Sequence, residues 1–468
     1  MENPENPKSE LYDLLRLHNQ PEEPEQAAPQ YNPTDVGNAR RFVDLFGDRV
    51  RYCYAWKKWL VWQETHWAAD EKGGAHISEL CKQMAEQMAE QAATKADTAH
   101  ALKCESHKTV SNYLEFVKAQ VAVDPEELDS GPWVLNCTNG TIDLNTGKLR
   151  PHDRNDLLTR VCPVAYDPEA PFDRWIAFLN RVLPKKELQL FVYRAMGYSL
   201  TGRTDEQCFF FLYGSQGANG KSTFMEVLQH ILGGYSKAMQ AETLMLGPVG
   251  RGSATSDVAR LKGARFVSAP ETPTKRQLDT QRVKQMTGGD RVVARYLFQE
   301  EFEYVPQFKI WVTGNHKPTI RDTDNAIWRR VRMVPFSVVI PEADRDPKLK
   351  EKLLEQAPGI LAWMVKGCLD WQAEGLKAPA EVLAATDEYR REQDTLGEFI
   401  EDRCSIGDPL LEAPGGKLYE QYKLWAIESG VPVLAANLFG MQLQEKGYEK
   451  VARSNGKFYL GIGLKDAL

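Results

Sequence analysis

The chain has 468 residues, 42% of them apolar and 26% charged, with a formal net charge of −7. Such a length predicts two to four domains, and such a composition an ordinary globular protein. It holds no run of about 18 apolar residues, so neither a transmembrane helix nor a membrane partner is expected, and the acidic opening MENPENPKSE reads neither as a secretory signal nor as a basic transit peptide.

Residues 1–38 hold eight acidic and two basic residues, which accounts for nearly all of the net charge. Their Pro, Glu, Gln and Asn content predicts a disordered tail. Within it, Leu11–Leu17 is a small apolar island, either a peptide that folds on a partner or a sticky stretch of tail. Residues 39–165 read as an N-terminal α+β module. It opens on a helical pattern, passes through the strand-like WKKWLVWQETHW (56–67) and enters a long helical segment over 77–99. LNCTNGTIDLNTGKLRPHD (135–153) then reads as strands joined by turns at Asn139-Gly140 and Asn145-Thr146-Gly147. Core packing is the ordinary role of the clustered tryptophans, and base stacking is the alternative. The eight cysteines form no Cys-x-x-Cys pair, so reduced thiols are expected, in the cytoplasm of a bacterial host or an equivalent replication compartment.

Residues 166–345 alternate strands with helices, which predicts an α/β core. Its centre is FFLYGSQGANGKSTFMEVLQHIL (210–232), a buried-strand pattern, a glycine loop and a helical pattern. Strand, loop and helix are the context of a phosphate-binding loop, whose backbone N–H groups point at phosphate oxygens. The loop residues are Gly214, Ser215, Gln216, Gly217, Ala218, Asn219, Gly220, Lys221, Ser222 and Thr223. The spacing departs from the usual motif: five residues, not four, separate Gly214 from Gly220, and Ser215 stands where the first glycine is expected. The extra residue reads as a bulge around Ser215-Gln216. Lys221 would pair with the β- and γ-phosphates of ATP, and Ser222 would hold Mg²⁺, with Thr223 in support.

Two further strands extend the pattern. LKGARFVSAPET (261–272) ends in Glu271, a carboxylate suited to organising Mg²⁺ and polarising water. QFKIWVTGNHKP (307–318) ends in Asn315, whose amide would hold that water against the γ-phosphate. AIWRRVRMVPF (326–336) presents Arg329 and Arg330, either of which would stabilise transition-state charge at a neighbour's nucleotide. Residues 346–395 read as a helical connection. Residues 396–468 read as helices followed by two strands around Ser454-Asn455-Gly456, a winged-helix-like order.

Gly-Ala-Asn-Gly-Lys-Ser-Thr, Glu271, Asn315 and Arg329-Arg330, in that order, resemble the superfamily 3 helicases. The resemblance is strongest to the branch holding the poxvirus helicase–primase and the satellite-phage primase–helicases. KQMTGGDRVVARYLF (284–298) and GNHKPTIRDTDNAIWRRVRMVPF (314–336) match as well, and the resemblance spans about residues 130–345. It implies an AAA+-like P-loop core and a ring, usually a hexamer, with ATP between subunits and 3′-to-5′ movement on single-stranded DNA. By the same match, Lys221 and Ser222 belong to the phosphate loop, Glu271 to the acidic motif, Asn315 to the sensor and one of the two arginines to the finger. The segment between Glu271 and Asn315 matches the DNA-contacting region, with a hairpin through 291–305. Lys284, Arg291 and Arg295 are the candidates there for phosphate contacts, in a stretch (261–340) with fourteen Lys/Arg and eight Asp/Glu. Two features depart from the family: the longer loop, and a single carboxylate after Ala269-Pro270.

Residues 39–130 show neither an acidic catalytic cluster nor a zinc motif, so a primase domain is not expected there. The expected function is a ring-forming ATP-dependent DNA helicase for replication of a phage, prophage or mobile element. It would act on single-stranded and forked DNA and take a separate primase or polymerase as partner, through the acidic tail. The alternatives are an origin-binding initiator or loader that uses ATP without unwinding, and a structural ATPase with no DNA role.

Overall fold

The computed structural model describes residues 31–71, 74–247, 256–270, 276–296, 300–320, 325–454 and 456–465. The apolar island at 11–17, most of the acidic tail and Glu271 lie outside the described residues. The chain divides into two compact units, Met1–Val61 with Ala69–Asp124, and Trp62–Ala68 with Pro125–Leu468.

In the first unit, α1 (Asp35–Phe46) starts where the Thr34 hydroxyl accepts from Gly37 N, and it buries Ala39, Phe42 and Phe46. A hairpin follows, β1 (Val50–Cys53) and β2 (Lys58–Trp62), and β3 (Trp67–Ala69) comes next in the chain, where the chain crosses into the second unit and back. The long helix expected over 77–99 is two helices. In α2 (Ala75–Glu90), Ile77, Leu80, Cys81, Met84, Ala85 and Met88 form one buried stripe. The chain restarts as α3 (Lys95–Cys104) because Thr94 and Asp97 close a reciprocal capping box, satisfying two backbone donors at a new helix start. α4 (His107–Gln120) completes the bundle through Thr109, Tyr113 and Val117.

The second unit begins with a small antiparallel sheet, β4 (Val134–Cys137), β5 (Gly140–Asp143) and β6 (Lys148–Arg150). Its residues Leu135, Cys137, Ile142 and Leu144 join the same core as α5 (Asp173–Val182) and α6 (Lys186–Leu200). Beyond β7 (Phe209–Tyr213) come α7 (Lys221–Leu232), β8 (Ser236–Ala238), β9 (Phe266–Ala269) and α8 (Thr280–Thr287). The hairpin expected through 291–305 is present as β10 (Val292–Arg295) and β11 (Glu301–Tyr304), paired antiparallel. β12 (Lys309–Gly314) and β13 (Val331–Pro335) complete a parallel five-stranded sheet of order β13-β7-β12-β9-β8.

Side chains alternate across a strand, so β7 serves two cores. Phe210 and Leu212 join Trp311 and Val334 on one face. Phe209 and Phe211 join Val267, Ile310, Val312 and Met333 on the other. A strand covered on both faces reads as a continuous apolar run, which is why this one was legible as a parallel strand. On the first face α9 (Ala357–Glu374) lies against α6 at glycine contacts: a Cβ on Gly197 would stand 2.0 Å from Cys368 N, and one on Gly367 2.4 Å from the Tyr193 carbonyl oxygen.

After α10 (Ala380–Gln393), residues 394–465 form a separate apolar cluster. It holds α11 (Thr395–Arg403), α12 (Gly415–Glu428) and α13 (Ala436–Glu445), packed through Phe399, Tyr422, Trp425 and Phe439. The strands there are β14 (Cys404–Ile406) paired with β18 (Ile462–Leu464), and β15 (Glu412–Pro414), β17 (Gly456–Leu460) and β16 (Lys450–Arg453) in that spatial order, all antiparallel. Among the described residues, no helix is long and apolar enough to cross a membrane.

Candidate active site

The glycine loop leaves the carboxyl end of β7 and returns as the first turn of α7, at the edge where ligands bind in open α/β sheets. Gly214 is fixed by crowding: a Cβ there would stand 2.7 Å from the Phe336 carbonyl oxygen, and would also displace Asn219 Nδ2 and Lys221 Nζ. Asn219 is buried and donates from Nδ2 to the Gln216 carbonyl (2.7 Å) and the Phe336 carbonyl (3.4 Å). It thereby folds Ser215, Gln216 and Gly217 into an exposed arch. Ala218 (φ 56°) and Gly220 (φ 84°) take the left-handed conformation that turns the chain into the helix. Gly220 offers no side chain to cap α7, so the first N–H groups of that helix are left to another acceptor.

Lys221 is only 7% exposed. Its Nζ donates to the Gly214 carbonyl (3.2 Å) and to Asn315 Oδ1 (2.9 Å). The contact with Asn315 follows from sheet order: β12 is the parallel neighbour of β7, with Gly314 opposite Tyr213, so the residue after β12 falls beside the loop. Ser222 is exposed and Thr223 half-buried on the first turn of α7. An ammonium, uncapped helix N–H groups and an exposed hydroxyl form a donor set that fits a polyphosphate. β9 lies on the far side of β12 and ends at Ala269, two residues before Glu271.

The two arginines lie elsewhere. The Arg330 carbonyl accepts from Phe209 N (2.9 Å), at the amino end of β7. The length of β7, about 13 Å at 3.3 Å per residue, therefore separates them from the loop of the same chain. Arg330 is buried, with Nε donating to Thr287 Oγ1 (3.2 Å) and a terminal nitrogen donating to the Ala326 carbonyl (2.7 Å). Arg329 is exposed and donates to Gln207 Oε1 (3.3 Å), while Gln207 Nε2 donates to the Gly288 carbonyl (3.3 Å). Arg330 thus touches the last residue of α8, and Arg329 is linked through Gln207 to Gly288, which leads towards β10. Lys284 is half-buried on α8, Arg291 is exposed 3.8 Å from Glu303, and Arg295 is half-buried at the end of β10.

Three residues at these places escaped the sequence reading. Phe336 acts through its carbonyl, which no side-chain pattern reveals. Gln207 has a left-handed backbone (φ 46°), unusual for a non-glycine and legible only in three dimensions. Lys317 donates to both carboxylate oxygens of Glu392 (2.7 and 2.8 Å) and lies over the rings of Tyr213 and Tyr389. Its place two residues after Asn315 was the available signal.

All eight cysteines are buried free thiols, and burial raises the Cys208 and Cys368 pKa values to about 12. Neither is suited to thiolate chemistry. Among the described residues, no group of three His, Cys, Asp or Glu side chains could hold a metal ion.

A family model described as "D5 N terminal like" matches residues 39–184, and one described as a family of unknown function, DUF5906, matches residues 212–330. "Putative helicase L207/L206" of Acanthamoeba polyphaga mimivirus is 30% identical over 380 residues, 75% of this chain and 39% of that one. "Putative helicase 022R" of Frog virus 3 (isolate Goorha) is 31% identical over 259 residues, 50% of this chain and 26% of that one. "Putative primase C962R" of African swine fever virus (isolate Warthog/Namibia/Wart80/1980) is 24% identical over 319 residues, 62% and 32% of the two chains. The chain belongs to the D5-like primase–helicase family, in the superfamily 3 helicase group.

This D5-like chain spans 39% or less of the length of those three relatives. Its second family match runs from within β7 to Arg330 and so takes in the loop, Asn315, the β10–β11 hairpin and both arginines. Among solved structures, the A-form apo C-terminal region of NrS-1 is 11% identical with a TM-score of 0.48, over 92% of this chain and 100% of that one. That likeness is too distant to carry an argument.

Proposed function

We propose that this D5-like chain is an ATP-driven DNA helicase that assembles as a ring, most simply a hexamer, and serves replication of a virus, phage or mobile element. One observation carries the reading. Lys221 and Asn315 meet at the carboxyl edge of the sheet, 2.9 Å apart, while Arg329 stands exposed at the opposite edge. A site whose charge-stabilising arginine lies a strand's length away is completed by a neighbouring copy. This supports an AAA+-like core with nucleotide between subunits.

In this reading the loop N–H groups of 215–220 and Lys221 bind the phosphates of ATP. Asn315 Oδ1, which accepts from Lys221, is released to orient the attacking water when the ammonium turns to phosphate. Ser222, with Glu271, would hold Mg²⁺, which supplies charge neutralisation across the phosphates. Arg329 of the adjoining subunit meets the charge that develops on the transferred group. Burial of Arg330 favours Arg329 as that group. Lys284, Arg291 and Arg295 carry phosphate contacts to single-stranded DNA around the β10–β11 hairpin. Residues 394–465 suit a winged-helix-like end.

The test is strand displacement on a forked duplex with ATP. Unwinding by the wild-type chain, lost together with ATP turnover in Lys221→Ala, is the expected outcome. Turnover without strand displacement, paired with tight binding to duplex origin DNA, would favour the initiator reading. For that reading the relevant feature is residues 445–465, with five basic and two acidic side chains.

A further inference from the structure

Arg49–Lys58 reads RVRYCYAWKK, ten residues with four Lys/Arg, three aromatic rings and no Asp or Glu. It forms the β1–β2 hairpin of the first unit and includes none of the residues assigned above to nucleotide or DNA. The register closes at Cys53 opposite Lys58, which leaves Tyr54–Lys57 as a four-residue tip. The base is anchored: Tyr52, Cys53 and Leu60 are buried. The tip is not, for Tyr54 is 52% and Trp56 41% exposed, and Lys57 and Lys58 are exposed as well.

Its aromatics form a graded series. The Tyr52 ring takes Trp59 edge-on at 5.0 Å and Tyr54 edge-on at 4.9 Å, so Tyr54 is braced by the core while a large part of it stays in water. Lys57 holds a left-handed backbone (φ 54°), where glycine or asparagine would sit without strain. Arg51 donates to the Gly47 (2.6 Å) and Val50 (2.8 Å) carbonyls, and Arg49 lies over the Phe46 ring, so both charges are tied to the hairpin's base. A braced ring at Tyr54 and an exposed one at Trp56, flanked by cations, match a polyanion whose flat groups are accessible. Single-stranded nucleic acid has that chemistry, whereas a duplex hides its base faces.

We propose that the β1–β2 hairpin tip is a stacking site for single-stranded nucleic acid, with Tyr54 and Trp56 as platforms and Lys57 and Lys58 as phosphate contacts. The choice of nucleic acid rests on the helicase reading, but the site is independent of the phosphate loop.

The test uses the full chain without nucleotide and a fluorescent oligo-dT, read by anisotropy. Tyr54→Ala and Trp56→Ala should each weaken binding about tenfold, since base stacking on an aromatic is lost. Trp56→Phe should restore most of it. Binding to a blunt duplex should change far less. Lys57→Gln and Lys58→Gln should each lower the log–log salt slope by about 0.7. Unchanged melting temperatures would assign these losses to the tip rather than to misfolding. Wild-type affinity in the double Tyr54→Ala/Trp56→Ala chain overturns the inference, as does an equal loss on duplex, or binding of the tip to anionic vesicles in place of oligo-dT. If that happens while Lys221→Ala still abolishes unwinding, only the hairpin inference fails. If the wild-type chain binds no oligo-dT, the helicase reading fails with it.

Discussion

At the residue scale, Arg330 and Arg329 respond to different tests. Arg330 is 7% exposed and donates to Thr287 Oγ1 and the Ala326 carbonyl, so Arg330→Ala removes internal hydrogen bonds and leaves a buried gap. The expected cost is about 1–3 kcal/mol of stability, read as a lower denaturation midpoint. Arg329→Ala, at an exposed position, should leave the midpoint unchanged and lower ATP turnover about a thousandfold or more, the usual effect of removing an arginine finger. A chain in which Arg330→Ala melts normally and loses turnover reverses the assignment. The sequence presents the two arginines as equals because they are adjacent. The buried one is selected by the helical turn Asn325–Trp328, by Thr287, 43 positions earlier, and by β13 pairing with β7, whose residues lie more than 100 positions earlier. Lys221 and Asn315 were legible because each ends a local pattern, a loop before a helix and a polar residue after an apolar strand. Glu271 was read in the same way, and it lies outside the described residues.

At the scale of elements, the amino edge of the sheet holds α6 in place. Lys309 opens β12, and its Nζ donates to the Thr201 carbonyl and to those of Arg203 (3.2 Å) and Gln307 (3.3 Å), with the Tyr198 ring 4.8 Å away. Arg265, just before β9, donates to the Leu200 (2.8 Å) and Gly131 (2.8 Å) carbonyls. Two cations thus meet the carbonyls at the carboxyl end of α6, where the helix dipole is negative. Burial pulls the Lys309 pKa well below its ordinary value, with the Arg265 charge pulling the same way, while Cys368, Cys208 and Asp205 push it back up. Lys309→Met keeps the packing volume and strands those carbonyls. It should lower stability by about 2–3 kcal/mol, measured by urea denaturation, and an unchanged midpoint would mean that the ammonium contributes nothing net. In QFKIWV the lysine reads only as the polar start of a strand, because α6 lies more than 100 residues earlier. The same limit explains the helix expected over 77–99: its apolar period continued, but the Thr94–Asp97 capping box restarted the chain. The β7–α7 unit was legible because all its signals are local.

At the scale of the whole molecule, the opposed edges of the sheet bear on assembly. Lys221 sits at the carboxyl edge and Arg329 at the amino edge, with about 13 Å of β7 between them. A chain with complementary halves of one site on two faces associates head-to-tail, and a head-to-tail contact that closes is a ring. This arrangement can be tested by mixing defective chains. Lys221→Ala chains alone should lack turnover because every site lacks its ammonium, and Arg329→Ala chains alone because every site lacks its guanidinium. When the two are mixed equally and allowed to exchange subunits, a site is intact wherever an Arg329→Ala chain supplies Lys221 and its neighbour, a Lys221→Ala chain, supplies Arg329. Random assembly makes about a quarter of the sites intact (half times half). ATP turnover should therefore rise from near zero in each parent towards about a quarter of wild type in the mixture. The rise should depend on protein concentration and vanish on dilution below the assembly range. No recovery, in mixtures shown by mass spectrometry to contain both chains in one particle, would mean that Lys221 and Arg329 do not share a site across subunits.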